Sequence, residues 1–249
     1  TQGVSSAASD VYKRQHVDLS VELKDYKTEN RDGSRYYLIE NDISYPSITT
    51  VLSDRKKEGL IAWRKKVGND VANHISRTSA ARGTSIHEMC EKHLNNEPVL
   101  KDDHKFFPYT LFCELRKTIN IRVNNIHAQE SALYSHKYKV AGRVDCVAEY
   151  DGKLSIIDFK SSRSRRTNSY NENYYIQAAA YAEMWEEMTG QEIEQIVILV
   201  ITEDGEVQEF IKEKYDYLPL LEQAVEDFNQ THDSTNGEST STLSEVCEQ

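Results

Sequence analysis

Two acids and a lysine on neighbouring predicted strands constrain this chain more than any other feature. The segment GRVD at 142–145 lies within 138–149, and Asp158 and Lys160 end the segment 154–160. Both segments are rich in β-branched and aromatic residues, and the Asp-Gly pair between them is typical of a tight hairpin turn. Because strand side chains alternate between faces, Asp158 and Lys160 point the same way. The sequence therefore predicts a hairpin that brings two carboxylates and one amine together.

Such a group of charges suits a metal ion. Two close carboxylates repel each other unless a divalent cation lies between them, and oxygen ligands favour magnesium or manganese. The alternative is that Asp158 and Lys160 form an ordinary surface ion pair. The apolar run at 154–157, however, is typical of a strand covered on both faces, where burying a charge is costly. We therefore expect metal-assisted phosphodiester hydrolysis, with Lys160 orienting the attacking water.

Four short motifs follow one another along the chain. They are RGTSIH at 82–87, GRVD at 142–145, DFK at 158–160 and QAAAY at 177–181. This series resembles the PD-(D/E)XK nuclease superfamily, and within it the RecB-type exonucleases, a group that includes the mitochondrial genome maintenance exonucleases and their phage-encoded relatives. The resemblance runs from about residue 36 to about residue 228. It implies an α/β fold in which a restriction-endonuclease-like mixed β-sheet is flanked by helices, with an N-terminal helical elaboration.

The resemblance also implies roles for single residues. A magnesium or manganese ion would be held by His87, Asp145, Asp158 and the main-chain carbonyl of Phe159. Besides the two acids, the catalytic group would comprise Lys160, Gln177 and Tyr181. In that group Gln177 would steady Lys160 or the scissile phosphate, and Tyr181 would contact the nucleic acid. Without the resemblance, a lone histidine such as His87 is more often an ordinary core or surface residue.

Glu130 lies on a predicted strand that precedes the GRVD motif. Two roles are open for its carboxylate, which could support the metal ligands from behind or form an ion pair with Arg143. The sequence does not decide between them.

Charge limits the way in which this chain can bind nucleic acid. The formal net charge is -11, and no Lys or Arg follows Lys214. Such an acidic balance argues against a tight duplex binder that ignores sequence. Basic residues nevertheless cluster in the loop after the DFK motif. The predicted nucleic-acid contacts are Arg163, Arg165 and Arg166 in that loop, with Arg82 and Thr84 added by the resemblance.

A second basic cluster surrounds Trp63, within 55–66. Basic clusters of this kind are more often solvated faces than binding sites. Beside a phosphodiesterase site, however, Trp63, Tyr170 and Tyr174 offer stacking surfaces for unpaired bases. We therefore expect DNA, with single-stranded ends favoured, as the partner.

Hydrophobic periodicity and turn residues predict the order of the elements. A small hairpin at 35–45 precedes a helix that Ser47 caps, and Ser79 or Thr84 is expected to cap the helix that carries His87. Gly83 on that helix is expected to allow another backbone to approach closely. The predicted helices are 57–66, 69–78, 80–94, 104–119, 172–188 and 218–228, and the predicted strands are 126–134, 138–149, 154–160, 195–202 and 207–212.

Length and composition predict a single nuclease domain at 16–230. Residues 1–15 are expected to be non-native, because 4–15 look like a translated sequencing adaptor, and the Ser-, Thr- and Glu-rich segment 231–249 is expected to be a disordered acidic tail. The four cysteines form no C-x-x-C pair, so neither an iron-sulfur cluster nor a disulfide is expected. No apolar run reaches membrane-spanning length.

These observations favour a magnesium-dependent DNA exonuclease of replication, repair or recombination. One alternative is a structure-specific or restriction-type endonuclease of the same fold. Another is a non-catalytic nucleic-acid-binding protein on a decayed nuclease fold, although all the core motif residues are present. Bacterial cytoplasm, for a phage-encoded protein, is the expected location, with the mitochondrion as the alternative. Cleavage polarity, DNA against RNA preference and oligomeric state stay open.

Overall fold

The computed structural model describes residues 13–40 and 43–237, beginning with a small antiparallel sheet. Its strands are β1 (Thr28–Arg31), β2 (Ser34–Leu38) and β3 (Ser44–Pro46), in that order. Strand β1 is short, polar and mostly exposed, and no sequence pattern predicted it. The turn into β2 is formed by Asp32 and Gly33, whose φ values of 50° and 84° match a two-residue hairpin turn.

Helices follow this sheet. The first, α1 (Ile48–Val51), begins as predicted at Ser47, whose hydroxyl accepts the main-chain N–H of Thr50 at 3.1 Å. Next come α2 (Lys57–Val67), α3 (Asn69–Leu94) and α4 (Phe106–Arg122). The prediction of two helices at 69–78 and 80–94 is wrong, because α3 is continuous and neither Ser79 nor Thr84 caps it. A single glycine, at position 83, costs a helix only about 1 kcal/mol, so the buried face of α3 outweighs it.

A five-stranded mixed sheet forms the centre of the molecule. Its strands are β4 (Val123–Ser135), β5 (Val140–Tyr150), β6 (Lys153–Ser162), β7 (Gln195–Thr202) and β8 (Val207–Glu213), in that spatial order. Neighbours pair antiparallel except β6 and β7, which are parallel. The parallel pair is joined by α5 (Asn168–Thr189), and α6 (Leu218–Gly237) follows β8.

Helices cover both faces of this sheet. One apolar core lies between the sheet and α1, α5 and α6, and a second lies between the sheet and α3 and α4. All eight residues of β7 are buried, and its six apolar residues alternate between the two cores, with Ile198 in the first and Leu199 in the second. The predicted α/β fold with a mixed sheet flanked by helices is confirmed.

The predicted ends of the domain differ from the structure in one respect. Helix α6 was expected to end near residue 228 but continues to Gly237, so the start of the predicted tail is helical. At the other end Arg14 is buried, with Nη2 donating to Asn120 Oδ1 at 2.6 Å. Residues 1–12 and 238–249, which hold most of the predicted adaptor-like segment and of the tail, lie outside the described residues. The origin of the adaptor-like segment stays a prediction.

Two further observations concern cysteines and helices. Cys90, Cys113 and Cys146 are free thiols, and Cys247 is not among the described residues. In the part of the chain that the structure describes, no helix combines the length and the apolar character that crossing a membrane requires.

Candidate active site

The hairpin of β5 and β6 opens at the point where the predicted acids lie. Ladder pairing between the two strands runs from Tyr150 with Lys153 to Cys146 with Ile157 and stops there. Beyond it, Asp145 Oδ2 accepts the main-chain N–H of Phe159 at 2.9 Å. The Asp145 carboxylate thus takes the place of a main-chain carbonyl of a neighbouring strand. This hydrogen bond holds Asp145 against the end of β6.

Helix α3 brings His87 to the same point. Its Nε2 donates to the main-chain carbonyl of Phe159 at 2.6 Å, and its Nδ1 lies 3.5 Å from Asp145 Oδ2. In a neutral ring with this tautomer, Nδ1 is an acceptor that faces another acceptor. A cation between His87 and Asp145 relieves that repulsion, so the imidazole and the carboxylate have the chemistry of metal ligands.

Asp158 and Lys160 were predicted to lie on one face of their strand, and in the structure Ile157 and Phe159 pack on the opposite face while Lys160 Nζ lies over Tyr174 of α5. Asp158 is 1 % exposed, its Oδ2 lies 2.5 Å from Lys160 Nζ, and its Oδ1 has no hydrogen-bond partner among the described residues. Burial raises the pKa of Asp158, although the Lys160 ammonium opposes that effect. Burial disfavours the charged form of Lys160, but Asp158 and Asp145 outweigh it and raise the pKa of the amine. A buried carboxylate with a free acceptor oxygen fits a bound cation.

The carboxylate of Glu130, whose role the sequence left open, lies close to His87 and Asp145. Ligand atoms of His87, Glu130 and Asp145 all lie within 4.8 Å of one another. Arg143 donates to the main-chain carbonyl of Glu130 and pairs with Asp25 at 2.6 Å, so its partner is not the Glu130 carboxylate. Burial, with the negative charge of Asp145, raises the pKa of Glu130 to about 7.

The backbone of Glu130 marks the same spot, since its φ of 43° is uncommon for a residue other than glycine. Strained conformations of this kind cluster at functional sites. The metal-ligand set predicted from sequence therefore gains Glu130 as a neighbour of His87 and Asp145. Strand alternation alone could not have found it, because its side chain is directed by the strained backbone.

Gln177 and Tyr181 lie on α5, where Gln177 Nε2 donates to the hydroxyl of Tyr181 at 3.1 Å. Tyr181 is 2 % exposed and packs against Gly142 of the GRVD motif. The expectation that Tyr181 contacts nucleic acid does not agree with this burial. Its ring instead fills the space above Gly142 and holds Gln177, which is itself buried.

A further aromatic residue lies beside Lys160. Lys160 Nζ is 5.1 Å from the ring centroid of Tyr174, and the guanidinium carbon of Arg166 is 5.0 Å from the same centroid. Arg166 is held in turn by Asn171, to whose Oδ1 its Nε donates at 2.5 Å. Tyr174 was predicted only as a stacking surface for bases. It lies seven residues from Tyr181, on the same face of α5, and that spacing could have predicted its place beside Lys160.

Among the predicted nucleic-acid contacts, Arg82 is buried, whereas Thr84, Arg163 and Arg165 are exposed. Arg82 is buried, with Nη1 2.5 Å from Glu203 Oε1, so a direct contact with nucleic acid does not agree with its position. Thr84 is exposed and lines an open cavity of about 510 Å³ together with His87 and Glu130. Arg163 and Arg165 are exposed, and Arg165 forms an ion pair with Glu206 at 3.1 Å.

Gly83 does not have the role expected of it. A Cβ added to Gly83 would lie 3.7 Å from Ser161 Oγ, an ordinary contact with a side chain and not with a backbone. The glycine that close packing requires is Gly142, where a Cβ would lie 2.6 Å from Tyr181 Cε1.

Comparison with known proteins agrees with this geometry. Residues 104–249 match the family model of the PD-(D/E)XK nuclease superfamily, a range that includes β5, β6 and α5 but not His87. The chain is 29% identical over 125 residues to human mitochondrial genome maintenance exonuclease 1, covering 47% of this chain and 36% of that protein. It is 28% identical over 149 residues to the mouse protein of the same name, covering 55% of this chain and 43% of that protein.

The chain thus spans less than half the length of these relatives. A crystal structure of a protein from Eubacterium rectale aligns with 63% of this chain and 68% of its own chain. The TM-score is 0.43 and the sequence identity 14%, so the likeness is slight. The family match, by contrast, covers more than half of the chain and contains the two acids and the lysine. This protein therefore belongs to the PD-(D/E)XK nuclease superfamily.

Proposed function

We propose that this nuclease is a DNA exonuclease that depends on magnesium or manganese and favours single-stranded ends. The observation that carries the proposal is the meeting of His87, Asp145 and the Asp158–Lys160 pair around the main chain of Phe159. Helix α3 and the β5–β6 hairpin contribute to that meeting, and His87 lies 72 positions from the Phe159 carbonyl that it contacts. An ordinary surface ion pair does not account for this arrangement.

The residues of the chain suggest how cleavage would proceed. His87, Asp145, Asp158 and the carbonyl of Phe159 would hold the cation. Glu130 would lie beside them, since its carboxylate groups with the ligand atoms of His87 and Asp145. A bound divalent cation would polarise the phosphodiester and acidify a water. The Lys160 ammonium would orient that water and offset negative charge that develops on the phosphate. Gln177, held by Tyr181, would keep the wall of the site in place behind these groups.

The preference for single strands is supported by charge and by exposed aromatic surface. The net charge of -11 leaves little general attraction for a duplex, while Arg163 lies exposed just after the catalytic strand. Tyr170 is 71% exposed at the start of α5, where an unpaired base could stack on it.

End-labelled linear oligonucleotides, single- and double-stranded, would test the proposal. With magnesium or manganese we expect stepwise shortening of the single strand, and with a chelator none. Asp158→Ala and Lys160→Ala should abolish cleavage, whereas Lys153→Ala, at the exposed far end of the same strand, should not. Cleavage that persists in either catalytic variant would contradict the assigned roles.

A circular single-stranded DNA separates this proposal from a restriction-type or structure-specific endonuclease. An exonuclease leaves the circle intact while it degrades the linear form of the same sequence. Loss of the circle at a similar rate would favour the endonuclease. DNA binding without any cleavage, in the presence of either metal, would favour a decayed, non-catalytic protein.

We infer a role in DNA replication, repair or recombination, since the relatives are named for genome maintenance. Those relatives are mitochondrial by name, which supports a mitochondrial location. Bacterial cytoplasm is the location if the protein is phage-encoded. Fractionation of the source cells, with detection of the native protein, would decide between the two.

A further inference from the structure

A large cavity lies on the side of α3 away from His87. It has a volume of about 900 Å³ and is enclosed by α3, by the first turn of α4 and by the turn after β7. We call it the α3–α4 cavity, and the residues that matter are His74, Arg77, Arg82, Lys105, Phe107 and Glu203. Its volume falls within the range of small-molecule sites. The metal-ligand cluster does not use it.

The charge of the α3–α4 cavity is positive in an acidic protein. Two of its acids are already paired, Glu203 with Arg82 at 2.5 Å and Glu88 with Lys92 at 3.1 Å. Of the described acids that line the cavity, only Asp103 is left to oppose Arg77 and Lys105, so four basic and three acidic side chains leave a net charge of +1. His74 and His104 add further donors. This balance favours an anionic ligand.

Two features of the cavity wall, one of the main chain and one of side chains, strengthen the attraction for an anion. Helix α4 begins at Phe106 after Lys105, without a side-chain cap, and its first turn lines the cavity. An uncapped helix start presents free N–H groups and a partial positive charge. Arg77 and Lys105 are exposed, whereas Arg82 is 6% exposed and already pairs with Glu203. The cavity thus offers two accessible cationic side chains to an anion.

The remaining wall is apolar. Phe107 is 44% exposed there, next to Pro108 and Ala81. An exposed aromatic ring beside basic groups is the arrangement that binds a base together with its phosphate. A simple inorganic anion would make no use of the aromatic wall.

We propose that the α3–α4 cavity binds one nucleotide unit, with the phosphate against Arg77 and Lys105 and the base against Phe107. The choice of a nucleotide rests on the proposed function, because a nuclease handles such units as substrate and product. The cavity and His87 both lie on α3, on different sides of the helix.

Binding of deoxyadenosine 5′-monophosphate in the presence of chelator tests the proposal without requiring any catalysis. Ligand-observed NMR would give the affinity, with deoxyadenosine and inorganic phosphate as separate probes. We expect the monophosphate to bind more tightly than either fragment. The double variant Arg77→Glu with Lys105→Glu should weaken binding by about tenfold or more. Lys153→Glu, the same charge change at the far end of β6, should alter it by less than about twofold.

Lys160→Ala distinguishes the cavity from the catalytic centre. If the cavity is the site, this variant binds the monophosphate as the unaltered protein does. Weaker binding in Lys160→Ala together with unchanged binding in the double variant would overturn the proposal, as would the absence of binding by the unaltered protein. Unfolding temperatures of all variants, measured alongside, identify any loss that comes from misfolding. Failure of the nuclease assays would leave this binding measurement unaffected.

Discussion

Gly142 of β5 and Tyr181 of α5 interlock so closely that no side chain fits between them. A Cβ at position 142 would lie 2.6 Å from Tyr181 Cε1 and 3.0 Å from its hydroxyl oxygen. The glycine of one motif therefore makes room for the tyrosine of another. Through Tyr181 this contact also holds Gln177, three residues beyond Tyr174 on the face of α5 that looks toward Lys160.

The variant Gly142→Ala should accordingly be less stable and less active. Overpacking of a close-packed core costs about 1–3 kcal/mol, so we expect a loss of that size in the free energy of unfolding. Displacement of Tyr181 should also lower kcat more than it raises KM. Urea unfolding and steady-state cleavage measure the two effects. Gly83→Ala is the matched control, because its Cβ meets only Ser161 Oγ at 3.7 Å.

In the control, alanine replaces a glycine inside helix α3 without crowding it. The change should raise the free energy of unfolding by about 0.5–1 kcal/mol, because glycine loses more conformational freedom in a helix than alanine does. Equal destabilisation by Gly83→Ala and Gly142→Ala would contradict the contact between Gly142 and Tyr181 as the cause.

Tyr174 should position Lys160 through its ring. Cation–π attraction of this kind contributes about 0.5–2 kcal/mol, so Tyr174→Leu should lower kcat by roughly tenfold with little change in KM. Tyr174→Phe keeps the ring and should retain most of the activity. Steady-state cleavage of a single-stranded oligonucleotide by the two variants measures this difference. Equal losses of kcat in Tyr174→Phe and Tyr174→Leu would show that the ring does not act on Lys160.

Glu130 should destabilise the metal-free protein at neutral pH. Its pKa is raised to about 7, mainly by burial, so ionisation costs folding energy that is absent below about pH 4.5 and complete above about pH 7. Glu130→Gln should therefore raise the free energy of unfolding at pH 8 by about 1 kcal/mol, after allowance for its partial exposure, and have little effect at pH 4. Chemical unfolding at the two pH values measures this difference.

A bound metal ion should turn the destabilisation caused by the ionised Glu130 carboxylate into stabilisation. If the carboxylate of Glu130 lies beside a bound cation, added manganese should raise the unfolding temperature of the unaltered protein more than that of Glu130→Gln. Equal shifts in the two proteins would contradict a place for Glu130 next to the metal ligands.

Lys214 forms the buried centre of an ion-pair network between α5 and the end of β8. It is 1% exposed, and its Nζ lies 2.9 Å from Glu183 and 2.6 Å from Glu186. In Lys214→Met the carboxylate of Glu183, which is 14% exposed, keeps Lys137 as its one ion-pair partner among the described residues. We therefore expect a loss of about 2–3 kcal/mol in the free energy of unfolding at pH 7. Thermal unfolding measures it.

The pH dependence of that loss has a definite sign. Burial opposes ionisation of Glu183, but hydrogen bonds from Lys214 and Lys137 prevail and lower its pKa. Its contribution to stability is thus present above its ordinary pKa of about 4.5 and disappears as the pH falls through the lowered value. The difference between Lys214→Met and the unaltered protein should therefore shrink below about pH 4. A difference that stays constant with pH would point to lost packing instead.

Several features of this protein were determined by the sequence alone. The alternation of the DFK strand put Asp158 and Lys160 on one face, the Asp-Gly pair predicted the hairpin, and Ser47 predicted a helix start. Each depends on residues within a few positions of one another, and local backbone geometry is nearly the same in every fold. The order of the motifs identified the family for the same reason, because motif spacing is read along the chain.

Tertiary structure alone decided which side chains meet across elements. Arg82 is buried and forms an ion pair with Glu203, which is 121 residues away in the sequence. No local sequence pattern predicts that partner. Tyr181 is buried because Gly142 leaves room for its ring, and the packing of α3 against β4 brings His87 close to Glu130. These contacts depend on how helices pack on the sheet, which is set by the summed burial of both cores and not by any short segment.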